Sequence, residues 1–425
     1  MSIRPFTTSV VWVLAMPLAA WSQAVAPAPA SYPVSLPQVL QAAAQNLDVT
    51  LAQRVLAAAQ AEVTAADRAP FPTLSAGISQ IDLQNGNGSG NPWTEQTYDK
   101  SIGLDWTWER GNKRALRTQA AQRSAEAARA DLEDTRLQQQ LAALTIYYDL
   151  LAAQERLAQV QQIAQGAAEL AQAARLRLQA GDLSAQDAAR MDIEAQRAQA
   201  EARSAELERQ RAALLLWQLT ALGPGAAQLQ AQPPWPELQP AAVPDLEALV
   251  EARADVRAAR ARVEAAQAAL QGSVAQKKSD ITWGVSYDHI PGTSTALLAL
   301  RMSMPLQWGY GYEGEIARAQ AQLAQAEQAL EKIRRAARLE LQRLQHELAS
   351  SAERAAAYER EILPRARRVA EGAELAYRKG ALSLTDLLDA RRTLRATLLD
   401  AVAARSEHAK AWGVWQLRTT AAAER

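Results

Sequence analysis

The sequence predicts a mainly α chain that carries membrane β: one unit, a pair of amphipathic strands followed by a long coiled-coil helical hairpin, stated twice. Two observations carry that reading. A strand-like segment around Ser75 to Ile81 and another around Thr282 to Tyr287 each lead into a second alternating segment and then a very long Ala-rich run. The register also recurs: Gly77 matches Gly284 at an offset of 207, Gly181 matches Gly380 at 199, and the Trp-Gln-Leu triplets at Trp217 and Trp415 lie 198 apart. The offset falls between the paired strands, where the first copy has a longer Asn/Gly loop, so the insertion sits at a hairpin tip, where insertions are tolerated.

The chain opens with Arg4, an apolar run from Val10 to Ala20 and small residues up to Ala24, the pattern of a secretory signal peptide over residues 1–24. That run is too short to cross a bilayer, which takes about 20 residues as a helix. The first repeat follows over residues 25–222. After an Ala/Pro linker, Leu36 to Ala66 reads as one helix that stops before Pro70 and Pro72. Strands are predicted over about 72–108: Ile102, Leu104, Trp106 and Trp108 alternate with Ser101, Gly103, Asp105 and Thr107, which gives one apolar and one polar face.

The first helical hairpin is predicted over residues 112–219. From Asn112 to Ala180 there is no proline and Gly166 is the only glycine, so its first helix should run roughly 100 Å at about 1.5 Å per residue. Leu137, Leu141, Leu144, Tyr148 and Leu151 keep the spacing of a coiled-coil seam. Residues 223–245, rich in proline, read as a non-helical connector.

The second repeat, residues 246–420, restates the plan with a helix over Leu246 to Leu270, strands over about 280–307 and a hairpin over 314–417. Its strands set Ile281, Trp283, Val285 and Tyr287 against Thr282, Gly284, Ser286 and Asp288, then Leu298, Leu300, Met302, Met304 and Leu306 against Ala299, Arg301, Ser303 and Pro305. Its long helix carries Leu330, Ile333, Ala337, Leu341, Leu344 and Leu348, and Pro364 should kink it. Residues 421–425 read as a tail.

Strands of this length with Trp at their ends suit a membrane barrel, and Trp106, Trp108, Trp283 and Trp308 fit an interfacial belt. Four strands cannot close in lipid, where unpaired backbone groups cost several kcal/mol each. Two copies give eight strands and a filled interior. Three give twelve and room for a lumen, the arrangement expected here as a homotrimer.

Several function classes are excluded. Lys plus Arg and Asp plus Glu are 46 each, which leaves no field to recruit nucleic acid. No cysteine occurs. No phosphate-binding loop, dinucleotide fingerprint, nucleophile elbow or zinc helix is present, so neither an enzyme nor a cofactor or metal site is expected. His289, His346 and His408 are far apart and are expected as exposed helix or loop residues rather than ligands. Trp217, Trp412 and Trp415, at the ends of the returning helices, are expected to be buried beneath the barrel. The i, i+4 alternation of charge suggests solvated helix faces.

The segment AYRKGALSLTDLLDARRTL from Ala376, the upstream Leu363-Pro364 and the strand exit PLQWGYGYEGEIARAQAQL from Pro305 resemble the TolC family of outer membrane efflux proteins. The resemblance covers essentially the whole mature chain. It implies a trimeric 12-stranded β-barrel in the outer membrane of a Gram-negative bacterium, continuous with an α-helical periplasmic tunnel. The tunnel would dock on a periplasmic adaptor protein serving an inner-membrane pump, and the chain would be a passive duct of a tripartite system. Carried over, Asp386 and Asp389 fall where the family rings the tunnel's inner end with carboxylates, and Tyr377 and Asp187 where it locks the gate. Leu382 stands where some members have a gate-tying arginine. Gly181, Leu183, Ser184, Gly380, Leu382 and Ser383 resemble the adaptor-docking tips.

The residues themselves allow a plainer account. Ser184 with Asp187, and Ser383 with Asp386, fit a helix-capping pattern in which the serine caps the helix and the acid satisfies the serine's own backbone N–H. Asp389 lies one turn beyond the cap and is the stronger lumenal candidate. Tyr377 can simply pack its ring and expose its hydroxyl. Met304-Pro305-Leu306 followed by Gly314-Glu315-Ile316 resembles the heavy-metal resistance branch. Alternatives are the outer membrane component of type I protein secretion and a periplasmic coiled-coil adaptor, although the latter should have one hairpin between lipoyl-like halves. A soluble coiled-coil scaffold leaves the signal and the alternating strands unexplained.

Overall fold

The computed structural model describes residues 31–91, 95–238 and 245–423; the expected signal peptide lies outside them. The first repeat begins with β1 (Tyr32–Val34), α1 (Leu36–Ala43), α2 (Leu47–Ala66), β2 (Thr73–Ser79) and β3 (Asp99–Trp108). Its hairpin is α3 (Lys113–Gln179) and α4 (Ala185–Thr220). A 3-10 turn (Ala226–Gln228) and β4 (Leu229–Ala231) lead to the second repeat: α5 (Leu246–Ala252), α6 (Ala254–Ala275), β5 (Ile281–Ile290) and β6 (Ser294–Ser303). Then come α7 (Glu313–Ala357), a π-turn (Tyr358–Ile362), α8 (Leu363–Arg378) and α9 (Leu384–Ala423).

The 67-residue α3 is unbroken, as its lack of proline requires. Leu144, Tyr148 and Leu151 of its seam are buried. The long helix of the second repeat instead passes into the π-turn just before Leu363, with Pro364 in the first turn of α8. Proline lacks an N–H and crowds the carbonyl four residues back, and a wider turn accommodates both defects. Helix α9 runs through Ala423, into the residues expected as a tail.

Each expected single helix at the head of a repeat is in fact two. Over Leu36 to Ala66 the break falls at Asn46, whose side chain accepts the Val49 N–H at 3.1 Å and donates to Gln139 on α3 at 2.8 Å. Over Leu246 to Leu270 it falls at Arg253, 207 residues on, which is extended and buried. The Arg253 guanidinium lies 2.8 Å from Asp255 and 2.9 Å from Glu340. The apolar spacing continues across both breaks, so only the tertiary partners reveal them.

The linker and the connector are not structureless either. β1 pairs with β4 in parallel, Tyr32 opposite Leu229 and Val34 opposite Ala231. This two-stranded sheet covers the main core, in which Val34, Val39, Leu144, Leu150, Leu216 and Leu229 are buried together. The hydroxyl of Tyr147 donates to the Gln232 carbonyl at 2.6 Å, which ties the connector to α3.

The other sheet is antiparallel in the order β2-β3-β5-β6. Register follows the predicted alternation: Leu104 faces Val285 and Trp106 faces Trp283 on one side, Asp105 faces Gly284 and Thr107 faces Thr282 on the other. The apolar side is bare, with Leu298 74% and Leu300 81% exposed. β6 stops at Ser303 rather than near residue 307, because Pro305 has no N–H for the ladder. Among the described residues no helix is long and apolar enough to cross a membrane.

Two burial expectations fail. His408 is 1% exposed on α9, which is packed against α3, α7 and α8. Trp415 is buried against Leu344 and Leu348, but Trp217 remains 40% exposed.

Candidate functional site at the hairpin tips

Both hairpins turn in the same way. Gly181 (φ 81°) and Gly380 (φ 73°) take the left-handed conformation that side chains rarely adopt. Around them the Asp182 N–H bonds Arg177 O at 2.8 Å and the Ala381 N–H bonds Ala376 O at 2.9 Å, closing Schellman turns. One serine then starts each returning helix. The Asp187 N–H reaches Ser184 Oγ at 3.0 Å and the Asp386 N–H reaches Ser383 Oγ at 3.2 Å.

The acid of each cap does something other than the sequence pattern suggests. Ser184 donates its hydroxyl to Asp187 at 2.8 Å and Ser383 donates to Asp386 at 2.6 Å. Aspartate is one methylene shorter than the Glu or Gln of a full capping box. The contrast is within the chain: Gln38, at the same position in α1, does accept the Ser35 backbone N–H, at 2.9 Å.

The two tips are packed together. Ala171, Ala174, Met191, Leu384 and Leu388 are buried in one cluster, with Leu183 and Tyr377 against it. Tyr377 therefore packs its ring where all four tip helices meet. Among the described residues no hydrogen bond joins Tyr377 to Asp187, whose carboxylate is taken by Ser184. Asp386 and Asp389 are both exposed on the first turns of α9, while Leu387 and Leu388 between them are buried. Gly181, Ser184, Gly380 and Ser383 are exposed, whereas Leu183 and Leu382, one on each turn, are half-buried.

A set of ion pairs missed in the sequence ties the helices together above the tips, two of them between the hairpins and one within the second hairpin. Arg392 lies 3.2 Å from Glu194, Arg395 lies 3.1 Å from Glu201, and Arg391 lies 3.0 Å from Glu374. Burial opposes the charge on Glu374, yet hydrogen bonds from Arg391 and Arg378 hold its carboxyl below the usual range. These arginines looked like solvated charge because helical spacing shows which face a residue occupies but not which helix meets that face. Among the described residues no group of three His, Cys, Asp or Glu could hold a metal ion.

A family model described as outer membrane efflux protein matches residues 39–222 and 245–413, nearly all of both repeats. The chain belongs to the outer membrane efflux protein family. As a member of that family it is an outer membrane channel protein rather than an enzyme. As for the fold, this efflux protein resembles a membrane protein from Pseudomonas aeruginosa at 19% identity and TM-score 0.78, over 90% of this chain and 89% of that one. VceC from Vibrio cholerae aligns at 19% identity and TM-score 0.72, over 91% and 95%. The open-state MtrE outer membrane channel of Neisseria gonorrhoeae aligns at 17% and 0.74, over 90% and 88%. A comparison with curated protein sequences found no match.

Proposed function

We propose that three copies of this efflux protein close into a twelve-stranded barrel above a helical tunnel, forming the passive outer duct of a tripartite pump. The observation that carries the reading is the four-stranded sheet itself. β2 and β6 each have one unpaired edge, and the sheet's bare apolar face needs lipid. An open edge in lipid is too costly to persist, so β6 of one copy pairs with β2 of the next.

The tunnel then ends at the hairpin tips, where three Asp386 and three Asp389 ring one axis. Such a ring favours cations and repels anions. An adaptor protein docking on the Gly181 and Gly380 turns would part the hairpins, and the inner-membrane pump would supply the energy, for which this chain has no machinery. The cargo is small molecules or metal cations; the likeness around Met304-Pro305-Leu306 favours the second.

The test is conductance in planar bilayers, using heat-modifiable trimers extracted from outer membranes. Asp386→Asn with Asp389→Asn should weaken cation preference or raise conductance. Unchanged currents would remove the ring from the mechanism, and a freely soluble monomer would remove the duct.

A further inference from the structure

The polar face of the sheet carries one arrangement that the efflux reading leaves unused. Asp105 on β3, Gly284 on β5 and Arg301 on β6 form one transverse row. Arg301 Nη2 reaches over the middle strand to Asp105 Oδ1 at 3.1 Å. Gly284 makes this possible, because a Cβ there would lie 2.2 Å from that oxygen and 3.4 Å from Arg301 Nε. Any side chain at residue 284 would force the pair apart.

Arg301 is also where the repeats differ. The strand exits align at an offset of 200: Trp108 with Trp308, Gly111 with Gly311, and Asn112 with Tyr312, both of which have left-handed backbone conformations. At that offset Arg301 replaces Ser101. By strand alternation the polar face carries the carboxylates of Asp99, Asp105 and Asp288, and among its described side chains Arg301 is the one base. Its side chain is 62% exposed while that of Asp105 is 23% exposed, so the guanidinium covers the carboxylate.

We propose that Arg301 is a charge-selectivity determinant of the barrel lumen: held by Asp105 across Gly284, it cancels that carboxylate near the helical end of the barrel, so that this stretch adds no cation preference of its own. The proposal rests on the trimeric barrel, in which the polar face is the inner one. Three copies would bring three such pairs to one level of the lumen.

Because the chain has no cysteine, a single introduced thiol reports its own surroundings. Ala299→Cys places one on the polar face two residues from Arg301, and Leu300→Cys places one on the apolar face. Trimers reconstituted in phospholipid vesicles are treated with cationic and anionic methanethiosulfonates in about 10 mM salt, where the screening length is about 30 Å. The Ala299→Cys thiol should react and the Leu300→Cys thiol should not. Adding Arg301→Gln should raise the ratio of cationic to anionic rates about fivefold, the effect of removing one unit charge at about 7 Å. Asp105→Asn should lower the ratio, the two changes together should nearly restore it, and Arg301→Lys should leave it in place. A reactive Ala299→Cys thiol whose ratio ignores Arg301→Gln overturns this inference and leaves the barrel standing. Reaction at Leu300→Cys but not at Ala299→Cys overturns the barrel reading itself.

Discussion

His408 shows how a single residue's behaviour follows from the packing around it. Burial on α9 lowers the pKa of its imidazole below the ordinary value, and the main chain at Glu237 and the carboxylate of Glu359 on the π-turn pull the other way without prevailing. The unfolded chain therefore takes up a proton from about pH 6.5 downward while the folded one stays neutral until lower pH. Stability is full above that range and is lost as pH falls through it. The melting temperature of His408→Leu should accordingly drop less between pH 7 and pH 5 than that of the unsubstituted protein; equal slopes would show that His408 titrates normally. The serine caps were legible in sequence because they depend on four consecutive residues. His408 and Arg253 were not, since their burial depends on helices that meet them from elsewhere in the chain.

At the scale of elements, the connector behaves as a clamp. Trp235 stacks on Tyr148 of α3 at 5.9 Å with 15° between planes, and its indole N–H donates to Glu155 at 3.0 Å. Arg405 on α9 lies 6.0 Å from the same indole and joins Glu155 at 3.1 Å to Glu359 on the π-turn at 2.9 Å. Helices of both repeats, α3 and α9, thus meet on one connector residue, and Arg405 carries the contact on to the π-turn. Trp235→Ala should cost about 3 kcal/mol by loss of a large packed side chain, and it should expose the connector to limited proteolysis while the tips remain protected. A digestion pattern that does not change would mean that the β1–β4 pairing alone secures this segment. The long helices and the four amphipathic strands could be read beforehand because each repeats a period many times. The clamp, the short parallel sheet and the breaks at Asn46 and Arg253 have no period; they are made by single contacts between distant residues.

The whole molecule is organised by its duplication, which the recurring offsets made visible, and by the sheet that the duplication leaves open. Taken alone, the sheet's two faces make different demands. In water an arginine on either face would be harmless, because both faces of this four-stranded sheet are largely accessible. In a barrel the faces separate into lipid and lumen. Leu300, on the apolar face of β6 opposite Val285, would then put an arginine into lipid, at a cost that reaches about 2–4 kcal/mol at the bilayer midplane, whereas Ala299 would put it into water. Leu300→Arg should reduce the trimer recovered from outer membranes severalfold, and Ala299→Arg should leave recovery near normal. Equal recovery of the two would mean that the apolar face does not meet lipid. The asymmetry is a property of the assembly, since nothing in one copy distinguishes the two substitutions except the medium that each face is meant to meet.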